Sequence, residues 1–357
     1  MTFTSVRIHD LTCCRAIFAC WVFIYHLNLQ LFQAIPFGPL TPLIKRGYLG
    51  VDGFFILSGL VLAHAHPRLG LSKREFYNFC VQRLARIYPV HIAVIVILAV
   101  LLAAAMALGV APRDPGRFGA DELIRNLLLI HGWGMSDRWA WNYPSWSIST
   151  EWAGYLAFPI LWWALRRLNA RMAAALLGLM LLLLAWVEAR GGGMRLNLAY
   201  LPGLPRFALE FTAGALLARC AAVLAARRGA SWLALLGGAG AVLAAFGPYD
   251  TLVVACLTAL LAGLFARGLQ GRGAVLAAVP GFVFLGTISY SFYMSFAVVE
   301  MMQAVLWRRL AAVPADHVAI FSLSTMAATL GMAVLLWRWV ERPGQRVLHL
   351  AVRPSHG

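Results

Sequence analysis

Long apolar runs recur along this chain and constrain its fold more than any other feature of the sequence. A helix crosses the hydrocarbon core of a bilayer in about 20 apolar residues. In lipid the backbone must satisfy its own hydrogen bonds, and a helix does so within one segment. Ten runs approach this length: 12–33, 48–65, 89–109, 147–165, 171–189, 203–224, 231–247, 251–268, 282–303 and 317–340. The sequence therefore predicts an all-α fold, a polytopic membrane helix bundle with about ten transmembrane helices.

The composition favours a membrane chain without a separate soluble domain. Charged residues make up 12% and hydrophobic residues 61%, whereas a soluble domain carries about a quarter charged residues. No low-complexity tail or internal repeat is visible, so we expect one integral membrane domain over residues 1–357, with a core at 11–343. Residues 121–133 are too short to span, and we expect them at the interface or in a re-entrant segment.

The distribution of Lys and Arg predicts which side of the membrane each loop faces. With the N-terminus inside, most of the 30 Lys and Arg residues lie in inner segments, Arg7 and Arg353 among them, as the positive-inside rule requires. Met1–Asp10 lacks a basic leader, so we interpret Leu11–Phe32 as a retained span rather than a signal peptide. We expect a multi-pass protein with both termini in the cytoplasm.

The net charge of +16 follows mostly from this topology and does not indicate binding of nucleic acid. It favours anionic membrane lipid or an anionic ligand on the inner face. The six cysteines show neither a metal-ligand spacing nor a disulfide framework, so we expect packing roles and no metal site. The oligomeric state is left open, and a homo-oligomer is one option.

Arg15 and His26 place a cation and an imidazole on one apolar helix. They are eleven residues apart in LTCCRAIFACWVFIYHLNLQLF. This spacing returns to within about 20° of the same face and separates the residues by roughly 16 Å along the axis. Charge within a membrane segment is costly and usually faces a cavity or a pathway. The alternative is an interfacial arginine and a core histidine that a neighbour satisfies.

Two charged segments border the second and third predicted spans. Asp52, near the outer start of the second, is a candidate for acceptor binding or for pinning helices together, or else a charge that the helix dipole favours. Arg83 and Arg86 are three residues apart in the string Arg-x-x-Arg-Ile-Tyr-Pro, so they share a helix face. We expect this string in an inner loop, with Pro89 in the first turn of the next span. Such cations can hold phosphate beside a helix N-terminus; the alternative is positive-inside topology with lipid headgroup contact.

The fourth predicted span begins with polar residues on one face. Ser147, Glu151 and Tyr155 recur every four residues. A carboxylate this far into a membrane helix needs a partner or a water-filled cavity. Glu151 is therefore a candidate to orient a histidine or to bind sugar hydroxyls, and the alternative is a buried Glu–Arg pair. Trp146 belongs either to an interfacial aromatic belt or to a platform on which a sugar stacks.

Two late strings carry further polar groups. The string ISYSFY, residues 288–293, gives a predicted span a polar start, which is most often structural. The string Glu341-Arg342-Pro343 is expected to end the last span as a structural cap, because proline continues a helix poorly.

Taken together, these strings resemble the acyltransferase 3 family of bacterial membrane acyltransferases, in the family's order and over residues 15–343. The matching strings are Arg15-x10-His26, GVDGFFILSG (50–59), RLARIYP (83–89), WSISTE (146–151), ISYSFY (288–293) and ERP (341–343). Each string alone is weak, whereas six in order are specific. Phe296 departs from the pattern because the family often has a histidine there, and Gly53 stands where a larger apolar residue is usual.

The resemblance implies a bacterial inner-membrane enzyme that moves an acyl group, commonly acetyl, from acyl-coenzyme A to a hydroxyl of a surface or lipid-linked carbohydrate. The Arg15–His26 offset is comparable to the reach of an extended pantetheine arm, and a neutral imidazole is the best candidate base. We assign His26 and Glu151 to catalysis, Arg15, Arg83, Arg86 and Tyr88 to donor binding, and Asp52, Trp146 and Ser147 to acceptor binding. We expect no metal.

A proton-linked small transporter or flippase without acyl chemistry is the competing class, since it too buries charge in membrane spans. The lack of visible repeats and the clustering of polar groups in the first four spans count against it. Binding of acyl-coenzyme A by the purified protein discriminates the two classes. A membrane scaffold or sensor is a third class, in which His26→Ala leaves activity in the cell unchanged.

Overall fold

The structure is a computed structural model that describes residues 8–31, 35, 37–112, 114–136, 138–191, 193–226, 228–309 and 317–352. Arg7, Arg353 and residues 32–33 of the first predicted span lie outside the described residues, as do both termini. The placement of the termini in the cytoplasm therefore stays a prediction.

The described part of the chain is helical and contains no strand, which confirms the all-α prediction. Each of the ten predicted spans coincides with a long helix. The helices are α1 (His9–Gln30), α2 (Thr41–Lys45), α3 (Gly50–Ala65), α4 (Lys73–Ala107), α5 (Ala120–Leu127), α6 (Trp146–Leu165), α7 (Ala170–Arg190), α8 (Tyr200–Ala225), α9 (Ala230–Ala244), α10 (Asp250–Leu269), α11 (Phe282–Arg309), α12 (Val318–Leu336) and α13 (Arg342–Val352).

Seven helical segments in the described residues are long and apolar enough to cross a membrane. They are His9–Gln30, Gly47–Ala65, Lys73–Ala107, Ala170–Arg190, Asp250–Leu269, Phe282–Trp307 and Val318–Val347. The chain is therefore a polytopic membrane protein. The predicted spans at α6, α8 and α9 are helical but fall outside this set, and α9, with 15 residues, is a shorter apolar helix.

Helix α4 begins at Lys73, well before the predicted start of the third span, so the expected inner loop around the basic string is wrong. Ser72 caps this helix: its Oγ accepts the backbone N–H of Glu75 at 3.3 Å and donates to the Glu75 carboxylate at 2.6 Å. This reciprocal cap stabilises an early helix start. Pro89 consequently lies in the helix interior rather than in the first turn.

Close helix contacts are made through glycine. A Cβ at Gly59 of α3 would overlap the backbone oxygen of Phe211 on α8, and a Cβ at Gly214 of α8 would overlap the backbone oxygen of Ile56 on α3. The two helices approach this closely because neither carries a side chain at the crossing. The six cysteines are all free thiols.

Residues 121–133 form α5 and a turn that packs on the start of α6. The turn is left-handed at Leu129, with φ of 56°. The backbone N–H of Gly132 donates to Ser149 Oγ at 2.9 Å, and the Trp133 indole donates to the Ser149 carbonyl at 2.7 Å. These bonds tie the segment to α6, so it supports the bundle without crossing it.

The expected end of the last span at Glu341-Arg342-Pro343 is wrong, because the helix continues. Residues 337–341 form a π-helical turn that joins α12 to α13. Pro343 thus lies in the first turn of α13, where a proline needs no backbone N–H. A Cβ at Gly344 would meet the Pro89 ring at 2.6 Å, so α13 packs directly against α4.

Candidate active site

A narrow cavity of about 120 Å³ lies among α1, α3, α4, α6 and α11. On α3 its lining residues run from Val51 to Leu62, which is three helical turns or roughly 16 Å. Three arginines, a carboxylate and several hydroxyl groups line it: Arg15, Arg83, Arg86, Glu151, Ser58, Ser147, Tyr155, Ser289, Tyr290 and Tyr293. The volume is below the 300–1,000 Å³ that encloses a drug-sized ligand, so the cavity in this structure encloses only part of a ligand of that size.

Two of the three arginines make no salt bridge with a described residue, although the Glu151 carboxylate lines the same cavity. Arg15 makes no hydrogen bond or salt bridge with any residue that the structure describes. Arg83 has a buried Nε without a hydrogen-bond partner, and its guanidinium lies 5.8 Å from the centre of the Phe79 ring. Burial and the nearby Arg83 charge lower the pKa of His66 to about 4, so His66 adds no charge of its own at neutral pH. The arrangement is suited to an anion that approaches both guanidinium groups.

Arg86 is already paired. Its guanidinium binds the carboxylate of Glu341, which also accepts a 2.6 Å hydrogen bond from Ser291. Arg86 additionally lies over the Tyr290 ring, 5.7 Å from its centre. The carboxylate of the last family string therefore holds Arg86 at the cavity wall, a role that the sequence alone did not suggest.

Glu151 lines the same cavity and does not contact His26. Its Oε1 accepts hydrogen bonds from Ser58 and from Tyr155, each at 2.6 Å. The suggestion that Glu151 orients His26 is therefore wrong in this geometry. The alternative of a Glu–Arg salt bridge is also not formed with any described residue. Two hydroxyl donors on one oxygen stabilise a carboxylate that faces the cavity.

His26 lies beyond the cavity, toward the opposite end of α1 from Arg15. Phe296 packs on both sides: its ring centre is 5.1 Å from that of His26 and 5.7 Å from that of the cavity residue Tyr293. Phe296 is fully buried. The position where the family often has a second histidine thus supplies a packing ring in this chain, and neither Phe296 nor His26 lines the cavity.

Tyr143 and Glu300 hold the His26 ring, and the sequence analysis missed both. The Tyr143 hydroxyl lies 3.2 Å from His26 Nδ1 and donates to Glu300 Oε2 at 2.9 Å. Burial and the Glu300 carboxylate raise the pKa of Tyr143 well above its usual range, so the hydroxyl keeps its proton. Since that one proton goes to Glu300, the oxygen accepts from Nδ1–H, which leaves Nε2 of His26 as the basic nitrogen.

Asp52 lies outside the cavity, in a fully buried ion pair. Its two carboxylate oxygens bind the guanidinium of Arg206, with one Nε–Oδ1 distance of 3.0 Å, and Arg206 also donates to the Leu198 carbonyl at 2.9 Å. The geometry fits the helix-pinning alternative, because it joins α3 to α8. Asp52 does not line the cavity, so no observed contact supports its proposed role in binding the acceptor.

The other assigned residues divide between the cavity and the packed interior. Ser147 lines the cavity, where its hydroxyl lies 3.0 Å from the Tyr293 hydroxyl. Trp146 is 7% exposed and packs edge-on against Phe55, so it offers no open ring face to a sugar here. Tyr88 donates to the Leu127 carbonyl at 3.0 Å and does not line the cavity.

The residues that the sequence analysis missed carried one signal that could have found them. Arg206 and Glu300 are charged residues inside predicted spans, where charge is costly and requires a partner. Their partners Asp52 and Tyr143 lie in other segments of the chain, and the spacing of residues along one helix does not identify such pairs. Among the described residues, no group of three or more His, Cys, Asp or Glu is placed to hold a metal ion.

Comparison with known proteins identifies the family of the chain. The family model of the acyltransferase 3 family, described as "Acyltransferase domain", matches residues 8–338. The chain is also 33% identical over 170 residues to "Acyltransferase MdmB" of Streptomyces mycarofaciens. That match covers 46% of this chain and 42% of the relative, less than half of each. No solved structure matches the chain. The family match spans nearly the whole length, and the chain therefore belongs to the acyltransferase 3 family of membrane acyltransferases.

Proposed function

We propose that this acyltransferase takes an acetyl group from acetyl-coenzyme A and transfers it to a hydroxyl of a surface or lipid-linked carbohydrate, in the bacterial cytoplasmic membrane. The observation that carries the proposal is the pair of guanidinium groups, Arg15 and Arg83, that face one cavity without a salt-bridge partner among the described residues. Coenzyme A combines anionic phosphates with a thin, extended thiol arm. The guanidinium groups suit the phosphates, and the three helical turns of α3 that line the cavity suit the arm.

The donor phosphates bind at the arginines, and the pantetheine arm extends along α3. The lining of α3 from Val51 to Leu62 is roughly 16 Å long, comparable to that arm. The hydroxyl groups of Ser58, Ser147 and Tyr155 offer hydrogen bonds to its amides. The acyl end then lies near Tyr293, on the side from which His26 approaches.

His26 acts as the general base of the transfer. Its Nε2 takes the proton of the acceptor hydroxyl, whose oxygen attacks the thioester carbonyl and releases the coenzyme A thiolate. Tyr143 and Glu300 hold the imidazole through Nδ1 and stabilise the positive charge that forms on it.

Arg83→Ala is expected to weaken acetyl-coenzyme A binding by about 1.5–3 kcal/mol, roughly 10–100-fold in Kd, because a charge-assisted hydrogen bond to phosphate is lost. Isothermal titration of the purified protein measures this. Arg74→Ala is the matched control, since Arg74 is an exposed arginine of the same helix that does not line the cavity. Equal donor affinity in both variants and the parent would show that Arg83 serves only topology or lipid contact.

The proposed orientation predicts opposite labelling of two loops. Leu71, 47% exposed, lies in the short connection between α3 and α4, and Met194, 61% exposed, lies between α7 and α8. In intact cells an impermeant thiol reagent should label Met194→Cys and spare Leu71→Cys, which it should reach only after lysis. Leu71 is preferable to the neighbouring Ser72, because Ser72 caps α4. Labelling of Leu71→Cys from outside contradicts a cytoplasmic donor site.

The function itself is tested on the surface glycans of a strain that lacks the protein. We expect loss of an O-acetyl ester, restored by the parent gene. Direct binding of acetyl-coenzyme A separates this enzyme from a proton-linked transporter or flippase. A deletion strain with unchanged glycan esters, together with a purified protein that ignores the donor, refutes the proposal.

A further inference from the structure

A second cavity lies beside the end of α1 that carries His26, and none of its residues takes part in the assignments above. It has a volume of about 700 Å³, within the range that encloses a sizeable ligand. The donor cavity is several times smaller. Its walls come from the end of α1, from α2 with the turn after it, and from the loops that precede α8 and α10. In the proposed orientation all four segments face the outer side.

Two cations that line this cavity form no close salt bridge with a described residue. Lys45 is exposed and makes no hydrogen bond or ion pair with any described residue. The Arg195 guanidinium is 42% exposed, and its nearest carboxylate, that of Asp250, lies 3.8 Å away. Asp250 is fully buried and already binds Arg46 at 2.9 Å and Tyr48 at 2.6 Å. Because none of the described lining residues is acidic, the cavity favours a ligand with an anionic group.

Amide and aromatic groups line the rest of the wall. Asn28 is 3% exposed, and its Oδ1 has no hydrogen-bond partner. Asn197 Nδ2 donates to the Tyr25 hydroxyl at 3.1 Å, and the rings of Tyr25 and Tyr48 pack edge to face with centres 5.5 Å apart. Side-chain amides and tyrosines supply the hydrogen bonds and ring surfaces that fix a polyhydroxylated ligand.

The backbone at Arg195 is held in an unfavourable conformation. Its φ of 54° lies in the left-handed region, which costs free energy for any residue with a side chain. The next residue is fixed, since the Leu196 N–H donates to Asp250 at 3.1 Å. Strain of this kind persists where the surroundings enforce it, and it is frequent at ligand sites. Here it holds the loop that carries the Arg195 guanidinium at the cavity.

The cavity is one side chain away from His26. Tyr25 lines it, and the Tyr25 ring centre lies 5.1 Å from that of His26, edge to face. Tyr293 lines the donor cavity and packs on Phe296, whose ring in turn packs on His26. Aromatic contacts thus link the imidazole to both cavities.

We propose that this outer cavity binds the acceptor, and that the acceptor is a carbohydrate carrying a phosphate or a carboxylate. This inference rests on the proposed function, because it names the acceptor class of the same reaction. The anionic group binds Lys45 and Arg195, and the hydroxyls bind Asn28, Asn197 and Tyr25. A bulky acceptor does not fit into the donor cavity of about 120 Å³. The outer cavity of about 700 Å³ has room for it close to His26.

The test uses the full chain in nanodiscs and surface glycans from a strain that lacks the protein. Anion exchange divides these glycans into an acidic and a neutral pool, and retention of each pool by the immobilised protein is measured without acyl donor. The variants are Lys45→Glu, which alters one exposed side chain, and Lys45→Glu/Arg195→Glu. Arg190→Glu is the matched control, because Arg190 is an exposed arginine at the end of α7 that does not line the cavity.

We expect the parent to retain the acidic pool, and the double variant to bind it about tenfold or more weakly, since charge-assisted contacts are lost. Arg190→Glu should bind like the parent. Phosphatase treatment or carboxyl reduction of the acidic pool identifies which anionic group is read. Retention of neither pool, equal retention of both, unchanged affinity in the double variant, or an equal loss in Arg190→Glu each overturns the proposal.

Transfer of labelled acetyl from acetyl-coenzyme A to the two pools is measured separately. Retention of the acidic pool without transfer refutes the proposed function and leaves the binding site standing. Transfer to the neutral pool alone leaves the function standing and refutes the anionic acceptor.

Discussion

His26→Gln is expected to reduce the rate of acetyl transfer by about 10²–10⁴-fold, while the protein still folds and still binds acetyl-coenzyme A. Glutamine offers an amide of similar reach that hydrogen-bonds but cannot take a proton. The proposed donor site is left intact, because Arg15 and Arg83 line the cavity and His26 does not. Acceptor-dependent release of coenzyme A, measured beside donor affinity, separates the two effects.

Two further variants decide between catalysis and packing at this position. If His26 were a packing residue, His26→Ala would insert poorly and His26→Gln would stay largely active. Tyr143→Phe keeps the ring that contacts His26 and Phe296 but removes the hydroxyl between His26 and Glu300. We expect an intermediate loss of rate and a moderate loss of stability, because the buried Glu300 carboxylate loses its hydrogen-bond donor. A folded His26→Gln protein with turnover near that of the parent would contradict the proposal that His26 is the general base.

The helices were predictable because a chain that crosses a membrane has few possible backbone structures. Each apolar run predicted from the sequence coincides with a helix, and seven helical segments of the described residues are long and apolar enough to cross a membrane. Helix starts were less predictable. The basic string around Arg83 resembled a loop, and the cap formed by Ser72 and Glu75 moved the start of α4 ahead of it. The last helix passed through Pro343 because a π-helical turn restarts the α-helix at Arg342.

The candidate site was predictable where residues share one helix and not where helices meet. Spacing placed Ser147, Glu151 and Tyr155 on one face, and all three line the cavity that Arg15 and Arg83 face. The same reasoning joined Arg15 to His26, but only Arg15 lines that cavity, and His26 packs instead on Phe296 of another helix. Pairing between helices depends on their rotation and crossing, which a single sequence does not encode in its spacing.

The buried ion pair between Asp52 of α3 and Arg206 of α8 predicts the largest loss of stability on mutation. Asp52→Ala should lower the free energy of unfolding by about 3–5 kcal/mol, because the buried Arg206 guanidinium loses its hydrogen-bonded carboxylate and keeps only Glu210, whose Oε1 lies 3.6 Å from its Nε. The side chains of Asp52 and Arg206 are essentially inaccessible, at 0% and 1% exposure, so water cannot replace the lost partner. Thermal unfolding in detergent measures the loss. Replacing both residues by apolar ones, Asp52→Leu/Arg206→Met, should recover part of it, since the guanidinium that lost its partner is removed as well.

The same pair of variants decides what Asp52 does. A pinning role predicts that the double variant regains stability and acetyl transfer together, because the joint between α3 and α8 is restored without any charge. An acceptor-binding role predicts a protein that is stable in both variants and slow in both, with a raised KM for the acceptor. The fully buried geometry of Asp52, outside both cavities, favours the first outcome, and a stable but inactive Asp52→Ala protein would reverse that conclusion.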